Sequence, residues 1–204
     1  MATLVLGGAR SGKTTYALKR AEALAAQTGG RRVMIATAEA FDDEMRARIS
    51  RHQAERSSAW STREAPHDLI AAIDALAPDQ VAVVDCLTLW LSNLMGAGRD
   101  IAVETDQLCA AVAACPAPLF LVSNEVGWGV VPDNALARAF RDHAGRLHQR
   151  LAAQADEAVL IVAGLPLALK PPRADDAPGG QETKSSGKVA HPERFERPTL
   201  RFVV

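Results

Sequence analysis

The sequence predicts an α/β fold, a mostly parallel sheet flanked by helices in a single domain. Short, continuous apolar runs alternate along the chain with stretches of helical period, as in strands buried on both faces. The first of these runs ends directly in a glycine loop that opens a helix. The 204 residues fit one core of ordinary size rather than two independent ones.

Thr3-Leu4-Val5-Leu6 is the first strand. From residue 13 to about 27, Ala17, Leu18, Ala21, Leu24 and Ala25 recur at helical spacing, and Gly29-Gly30 supplies a left-handed stop. Val33-Met34-Ile35-Ala36 reads as the second strand. Asp42 or Asp43 is placed to cap a helix running through Arg56, with Met45, Ile49 and His52 on one face. Residues 67–76 form another amphipathic helix. Val81-Ala82-Val83-Val84 makes a buried strand ending in Asp85-Cys86, followed by helices over 87–95 and 104–114 with a turn at 96–100. Leu119-Phe120-Leu121-Val122 is the fourth strand. After Pro132-Asp133 a long helix carries Leu136, Phe140, Leu147 and Leu151, and Val159-Leu160-Ile161-Val162 is the fifth strand. Such alternation places ligands at the carboxyl ends of the strands.

Beyond Lys170 the composition changes. Residues 171–204 are rich in Pro, Gly, Ser, Asp and Lys until Phe195 to Val204 regains some apolar character, and the segment reads as a disordered tail after a domain spanning 1–170. Lys plus Arg is 23 and Asp plus Glu is 24, a formal charge of −1, which gives no reason to expect nucleic acid or an acidic membrane as a bulk partner. Cys86, Cys109 and Cys115 show no C-x-x-C spacing and are expected to be reduced, buried, small apolar residues. The N-terminus has no leader pattern and no apolar run reaches the roughly 18 residues of a membrane helix, so a cytoplasmic protein without a membrane span is expected.

The strongest motif is Gly7-Gly8-Ala9-Arg10-Ser11-Gly12-Lys13-Thr14, a G-x-x-x-x-G-K-T loop set between strand and helix, which makes the fold one of P-loop NTPase type. Its glycines let successive backbone N–H groups point at phosphate oxygens, with the helix dipole behind them. Lys13 is expected to reach the β- and γ-phosphates of GTP or ATP, and the Thr14 hydroxyl to help hold Mg²⁺. Asp85, at a strand end, is the candidate carboxylate directed at the metal or at water. His52 leaves two readings open, a partly buried structural histidine or a nucleophile. Arg46, Arg48, Arg51 and Arg56 surround it, and a neutral imidazole of pKa about 6.5 is a competent nucleophile near neutral pH. His67, His143, His148 and His191 have no comparable setting and are expected to be surface or structural.

From about Thr3 to Lys170 the chain resembles the bifunctional adenosylcobinamide kinase/adenosylcobinamide-phosphate guanylyltransferase family of cobalamin biosynthesis. The resemblance is carried by the phosphate loop, Ile35-Ala36-Thr37, Asp42-Asp43-Glu44-Met45 with Ala47-Arg48-Ile49 and His52, Val84-Asp85-Cys86-Leu87-Thr88 and Ser123-Asn124-Glu125-Val126-Gly127. Further on it includes Val131-Pro132, Asn134, Ala137-Arg138, Phe140-Arg141-Asp142 and Ala144-Gly145-Arg146. It implies phosphorylation of a corrinoid, adenosylcobinamide, on its aminopropanol hydroxyl, and then transfer of GMP from GTP to that phosphate with release of pyrophosphate. It also implies a covalent GMP-histidine at His52, and a trimeric assembly. The nucleotide contacts it implies fall on the phosphate loop, on Thr37, Ala38 and Glu39, on Gln53, Ala54, Glu55 and Arg56, on Glu64 and on Asp85. Thr14 stands where the family loop usually has Ser, which keeps the hydroxyl, and Trp128 where another apolar residue is usual. The family pattern ends near a Leu169-Lys170 strand, and the tail has no counterpart in it.

Two other functions fit the loop alone: a P-loop small-molecule kinase in which His52 is structural, and a GTP-binding switch acting through partners. Neither needs a histidine within an arginine-rich helix.

Overall fold

The computed structural model describes residues 1–39 and 59–171. The helix expected from Asp42 or Asp43 through Arg56, and the tail from residue 172 on, lie outside the described residues. In chain order the elements are β1 (Ala2–Gly7), α1 (Lys13–Thr28), β2 (Arg31–Ala36), β3 (Trp60–Glu64), α2 (Leu69–Asp74), β4 (Gln80–Asp85), α3 (Leu87–Gly96), α4 (Ile101–Ala114), β5 (Leu119–Asn124), α5 (Ala135–Gln154), β6 (Glu157–Val162) and β7 (Leu165–Lys170). The strands form one sheet in the order β3-β2-β4-β5-β1-β6-β7, parallel throughout except for the β6–β7 hairpin.

Alternate side chains of the central strands feed two cores. On one face Val5, Met34, Val83, Phe120 and Val122 meet Ala17, Ala21 and Ala25 of α1, whose small side chains let the helix lie close to the sheet. On the other, Leu4, Leu6, Ile35, Val84 and Leu121 pack against α2 to α5, with Trp90, Leu91, Leu108, Leu147 and Leu151 at the centre. α1 stops at Gly29 in the left-handed conformation, as its sequence predicts. α4 begins three residues earlier than the apolar pattern suggests, because Asp100 caps it by accepting from Ala102 N and Val103 N. Leu136 departs from its expected buried stripe and is exposed in the first turn of α5, whereas Leu147 and Leu151 are buried.

Two strands go beyond the five that apolar runs predict. β3 buries only Trp60 out of Trp-Ser-Thr-Arg-Glu, and β7 exposes Leu165, Leu167 and Leu169 at the opposite edge. The hairpin is closed by Ala163 and Gly164, both at positive φ, as a tight two-residue turn requires. Lys170, the last residue of β7, donates from Nζ to Ala153 O at 3.0 Å, to Ala152 O at 3.3 Å and to Ala155 O. It thereby caps the open carbonyls at the end of α5. Cutting the chain after Lys170 keeps this cap and removes a segment poor in core-forming residues. Its melting temperature is therefore expected to stay within about 2 °C of the full chain, and its turnover to be unchanged. A larger fall in differential scanning calorimetry would show that Phe195 to Val204 contributes to the fold.

Candidate active site

The phosphate loop spans the end of β1 and the start of α1, and three constraints set its shape. Gly7 has no room for a side chain, since a Cβ there would lie 2.4 Å from Ser11 Oγ and 2.7 Å from Ile161 O. Gly12 caps α1 at φ 95°, in the left-handed region that favours glycine. The β6–β7 turn braces the loop from beneath, with Gly164 N donating to Ser11 O at 2.9 Å. Arg10, at φ 55°, completes the bend. Inside it, Ser11 N donates to Gly8 O at 3.3 Å, and Lys13 Nζ reaches the same carbonyl at 3.0 Å. Lys13 is buried, so its charge sits on the inner side of the loop. The Ser11 hydroxyl is buried with no hydrogen-bond partner among the described residues, an orphaned polar group in a loop whose spacing suits phosphate. Thr14 is half-buried in the first turn of α1, while Gly8 and Ala9 are exposed.

Across the rim, β4 ends at half-buried Asp85, and β5 separates it from β1. Cys86 follows it, with burial pushing the thiol pKa up and the Asp85 charge adding to that effect, against opposing contributions from Thr88 and Lys13. A thiol kept protonated in this way is no rival nucleophile.

Thr37 is fully buried, and its polar groups are committed to the sheet. Its hydroxyl donates to Cys86 O at 2.7 Å and accepts from Cys86 N at 2.8 Å, its N–H donates to Asp85 O at 3.2 Å, and its carbonyl accepts from Asn93 Nδ2 at 2.9 Å. It thereby fixes the ends of β2 and β4 at the rim. Ala38 and Glu39 follow on the rim half-buried, with Glu39 Oε1 3.8 Å from His67 Nδ1. Glu64 ends β3, exposed and in register with Ala36. With strands about 4.8 Å apart, β2 lies roughly 14 Å and β3 roughly 19 Å from β1. The loop and Asp85 thus form one end of the rim, and Glu39 and Glu64 the other. His52, Gln53, Ala54, Glu55 and Arg56 lie outside the described residues.

Residues 3–169 match the family described as cobinamide kinase / cobinamide phosphate guanyltransferase. The chain belongs to that family. It is similar to the bifunctional adenosylcobalamin biosynthesis protein CobU of Salmonella typhimurium, 44% identical over 186 residues that cover 83% of this chain and 100% of that protein. The bifunctional adenosylcobalamin biosynthesis protein CobP of Pseudomonas aeruginosa is 43% identical over 173 residues, covering 83% of this chain and 98% of its own. CobU of Escherichia coli is 41% identical over 186 residues, covering 83% of this chain and 100% of its own.

The fold also brings Ser123 and Glu125, from a block that marks the cobinamide kinase family, together with His148, which no motif singles out. Ser123 Oγ lies 2.7 Å from His148 Nε2, and His148 Nδ1 lies 3.8 Å from Glu125 Oε2. Serine, histidine and carboxylate in series suggest acyl chemistry, but Ser123 is fully buried on the α5 side of the sheet and no substrate can reach it. The group is structural, in keeping with the sequence reading of His148. Burial lowers the His148 pKa, and Glu125 only partly opposes this. Between that lowered value and the unfolded one of about 6.5, the unfolded chain binds more protons, so stability rises with pH. The contribution is full above the unfolded value and is lost as pH falls through the window. The melting temperature is therefore expected to drop between about pH 7.5 and pH 5.5. In His148→Phe, less stable throughout, the drop should be smaller; an equal slope in both proteins would assign the pH dependence to other groups.

Proposed function

We propose that the chain phosphorylates adenosylcobinamide with ATP or GTP and then transfers GMP from GTP to the product, giving adenosylcobinamide-GDP and pyrophosphate. The observation that carries this is a complete, braced phosphate loop with buried Lys13, facing Asp85 across one strand, in a member of the cobinamide kinase / cobinamide phosphate guanyltransferase family. Gly7, Gly8, Ala9, Arg10, Ser11, Gly12, Lys13 and Thr14 hold the phosphates. In the first step the corrinoid hydroxyl oxygen bonds to the γ-phosphorus, the bond to the β-phosphate oxygen breaks, and the nucleoside diphosphate leaves. Positioning and charge neutralisation by Lys13 suffice for it. In the second, the His52 imidazole bonds to the α-phosphorus and pyrophosphate departs. The corrinoid phosphate then displaces the imidazole to form the new diphosphate.

Mg²⁺ fits the residues at the loop. The Thr14 hydroxyl and Asp85 carboxylate are hard oxygen donors, and the described residues contain no group of three or more His, Cys, Asp or Glu that would form an all-protein site. An ion completed by phosphate and water oxygens is the common magnesium arrangement. When bound, it neutralises charge on the triphosphate.

Ala38, Glu39, Glu64, Gln53, Ala54, Glu55 and Arg56 are assigned to the rest of the nucleotide, with Thr37 holding the rim beneath them. Carboxylates such as Glu39 and Glu64 accept from the N1–H and amino group of guanine, a pair of donors that adenine lacks. A homotrimer is proposed as well. Leu165, Leu167 and Leu169 of edge strand β7 are exposed, as are Trp128, Val130 and Val131 beyond β5, and large apolar side chains on an open sheet edge are of the kind that proteins ordinarily cover. Light scattering behind a sizing column tests it, and a monomer at micromolar concentration would refute it. No described helix is long and apolar enough to cross a membrane, and we place the enzyme in the cytoplasm.

The test of the function is to incubate the chain with adenosylcobinamide and either γ-labelled ATP or α-labelled GTP. Label from the first is expected in adenosylcobinamide phosphate, and label from the second in adenosylcobinamide-GDP. Nucleotide hydrolysis without label in any corrinoid would reject the reading.

A further inference from the structure

The last residue of β5 has no part in the loop or in the Asp85 carboxylate, yet it stands between them. β5 lies between β1, which carries the loop, and β4, which carries Asp85. Asn124 is in register with Gly7, and the next N–H, that of Glu125, donates to Gly7 O at 2.9 Å. The strand end is thus tied to the root of the loop. Toward β4, Asn124 Nδ2 donates to Thr88 Oγ1 at 2.7 Å and lies 3.7 Å from Cys86 Sγ. Thr88 Oγ1 and Cys86 Sγ are themselves 3.1 Å apart, and both residues are buried.

These contacts fix the carboxamide without exhausting it. An asparagine side chain has two donor hydrogens and an acceptor oxygen. The nitrogen is held by Thr88, whereas Oδ1 pairs with no described residue and Asn124 is only half-buried. An oriented acceptor is therefore left on the rim, beside buried Lys13 on one flank and Asp85 on the other. A cradled γ-phosphate would face this part of the rim, since Lys13 is the residue that reaches for it. The network is neutral, so it adds no charge that would repel the phosphates.

We propose that Asn124 is a catalytic residue of γ-phosphoryl transfer, its Oδ1 accepting a hydrogen bond from the attacking alcohol and aligning the oxygen lone pair on the γ-phosphorus. The inference rests on the kinase reading above. The alcohol oxygen bonds to the γ-phosphorus as the bond to the β-phosphate oxygen breaks. An amide is too weak a base to take the alcohol proton, which passes to a non-bridging oxygen of the transferred group and then to solvent. A loose transition state needs little more than an oriented nucleophile, a task for which an amide side chain is suited. Thr88 is a positioning residue, acting through Asn124.

The experiment compares the full-length wild type, Asn124→Ala and Thr88→Val in adenosylcobinamide phosphorylation, with melting temperature and incorporation of α-label from GTP measured alongside. Asn124→Ala is expected to lower kcat about 100-fold, with the nucleotide KM within about threefold and α-label incorporation reduced by less than about threefold. Thr88→Val, which frees the carboxamide without removing it, is expected to lower kcat about tenfold in the same pattern. If Asn124→Ala keeps its kcat, or if KM, label incorporation and melting temperature deteriorate along with kcat, Asn124 is merely a strut and the proposal falls. A wild-type chain that transfers no γ-phosphoryl group to the corrinoid overturns the functional reading, and this inference with it.

Discussion

Replacing Lys13 with alanine is expected to abolish both the phosphorylation of adenosylcobinamide and the transfer of GMP. The ammonium group is buried on the inner side of the loop, 3.0 Å from Gly8 O. There it acts on a triphosphate whichever oxygen leaves, so γ- and α-phosphorus chemistry both lose it. Removing one buried electrostatic stabiliser of this kind costs roughly 100- to 1,000-fold in kcat, and weakened nucleotide binding compounds the loss. Stability is expected to change little, because the solvation that the buried ammonium gives up offsets what its contacts in the loop, the hydrogen bond to Gly8 O among them, contribute. A calorimetric transition close to wild type beside lost turnover would locate the effect in the site. Full guanylyl transfer in Lys13→Ala, with only the kinase step gone, would mean that the two reactions use different nucleotide sites.

What the sequence revealed and what it concealed follow from how each element is buried. β1, β2, β4, β5 and β6 were legible because both faces of each are covered, which leaves continuous runs such as Val81 to Val84. β3 escaped because an edge strand needs only Trp60 inside, and its Ser61, Thr62 and Glu64 look like a loop. β7 was indicated only by the Leu169-Lys170 strand of the family pattern, because its residues 165–169 are all exposed and no core period reveals it. The phosphate loop was legible for a different reason: its function is set by backbone geometry at fixed local spacing. Asn124, Thr88, Cys86 and the Gly164 brace have no such signature. They meet only through the order of strands in the sheet, which places β5 between β4 and β1 and β6 beyond β1. The block Ser123-Asn124-Glu125-Val126-Gly127 marked the family without revealing that its serine faces a buried histidine while its asparagine faces the rim.

The nucleophile assignment leads to the second large effect. His52 is expected to become covalently guanylylated by GTP without any corrinoid, releasing pyrophosphate, because a neutral imidazole among Arg46, Arg48, Arg51 and Arg56 suits attack on a charged α-phosphate. The Cys86 thiol near the loop is poorly suited, since burial and Asp85 keep it protonated. The adduct is a phosphoramidate, labile in acid, where its nitrogen is protonated and leaves, and more resistant to base than a phosphate ester. That contrast separates it from label on serine or threonine. His52→Ala and His52→Asn are expected to lose the label and GMP transfer entirely. Much of the kinase step should survive in both, since γ-phosphoryl transfer depends on positioning and charge stabilisation and needs no covalent histidine. The measurement is α-labelled GTP incubated with each protein, followed by denaturation, acid and base treatment, and peptide mapping. Label retained by the His52 variants, or mapped to another residue, would remove His52 from the mechanism and leave a kinase whose guanylyl transfer proceeds by another route.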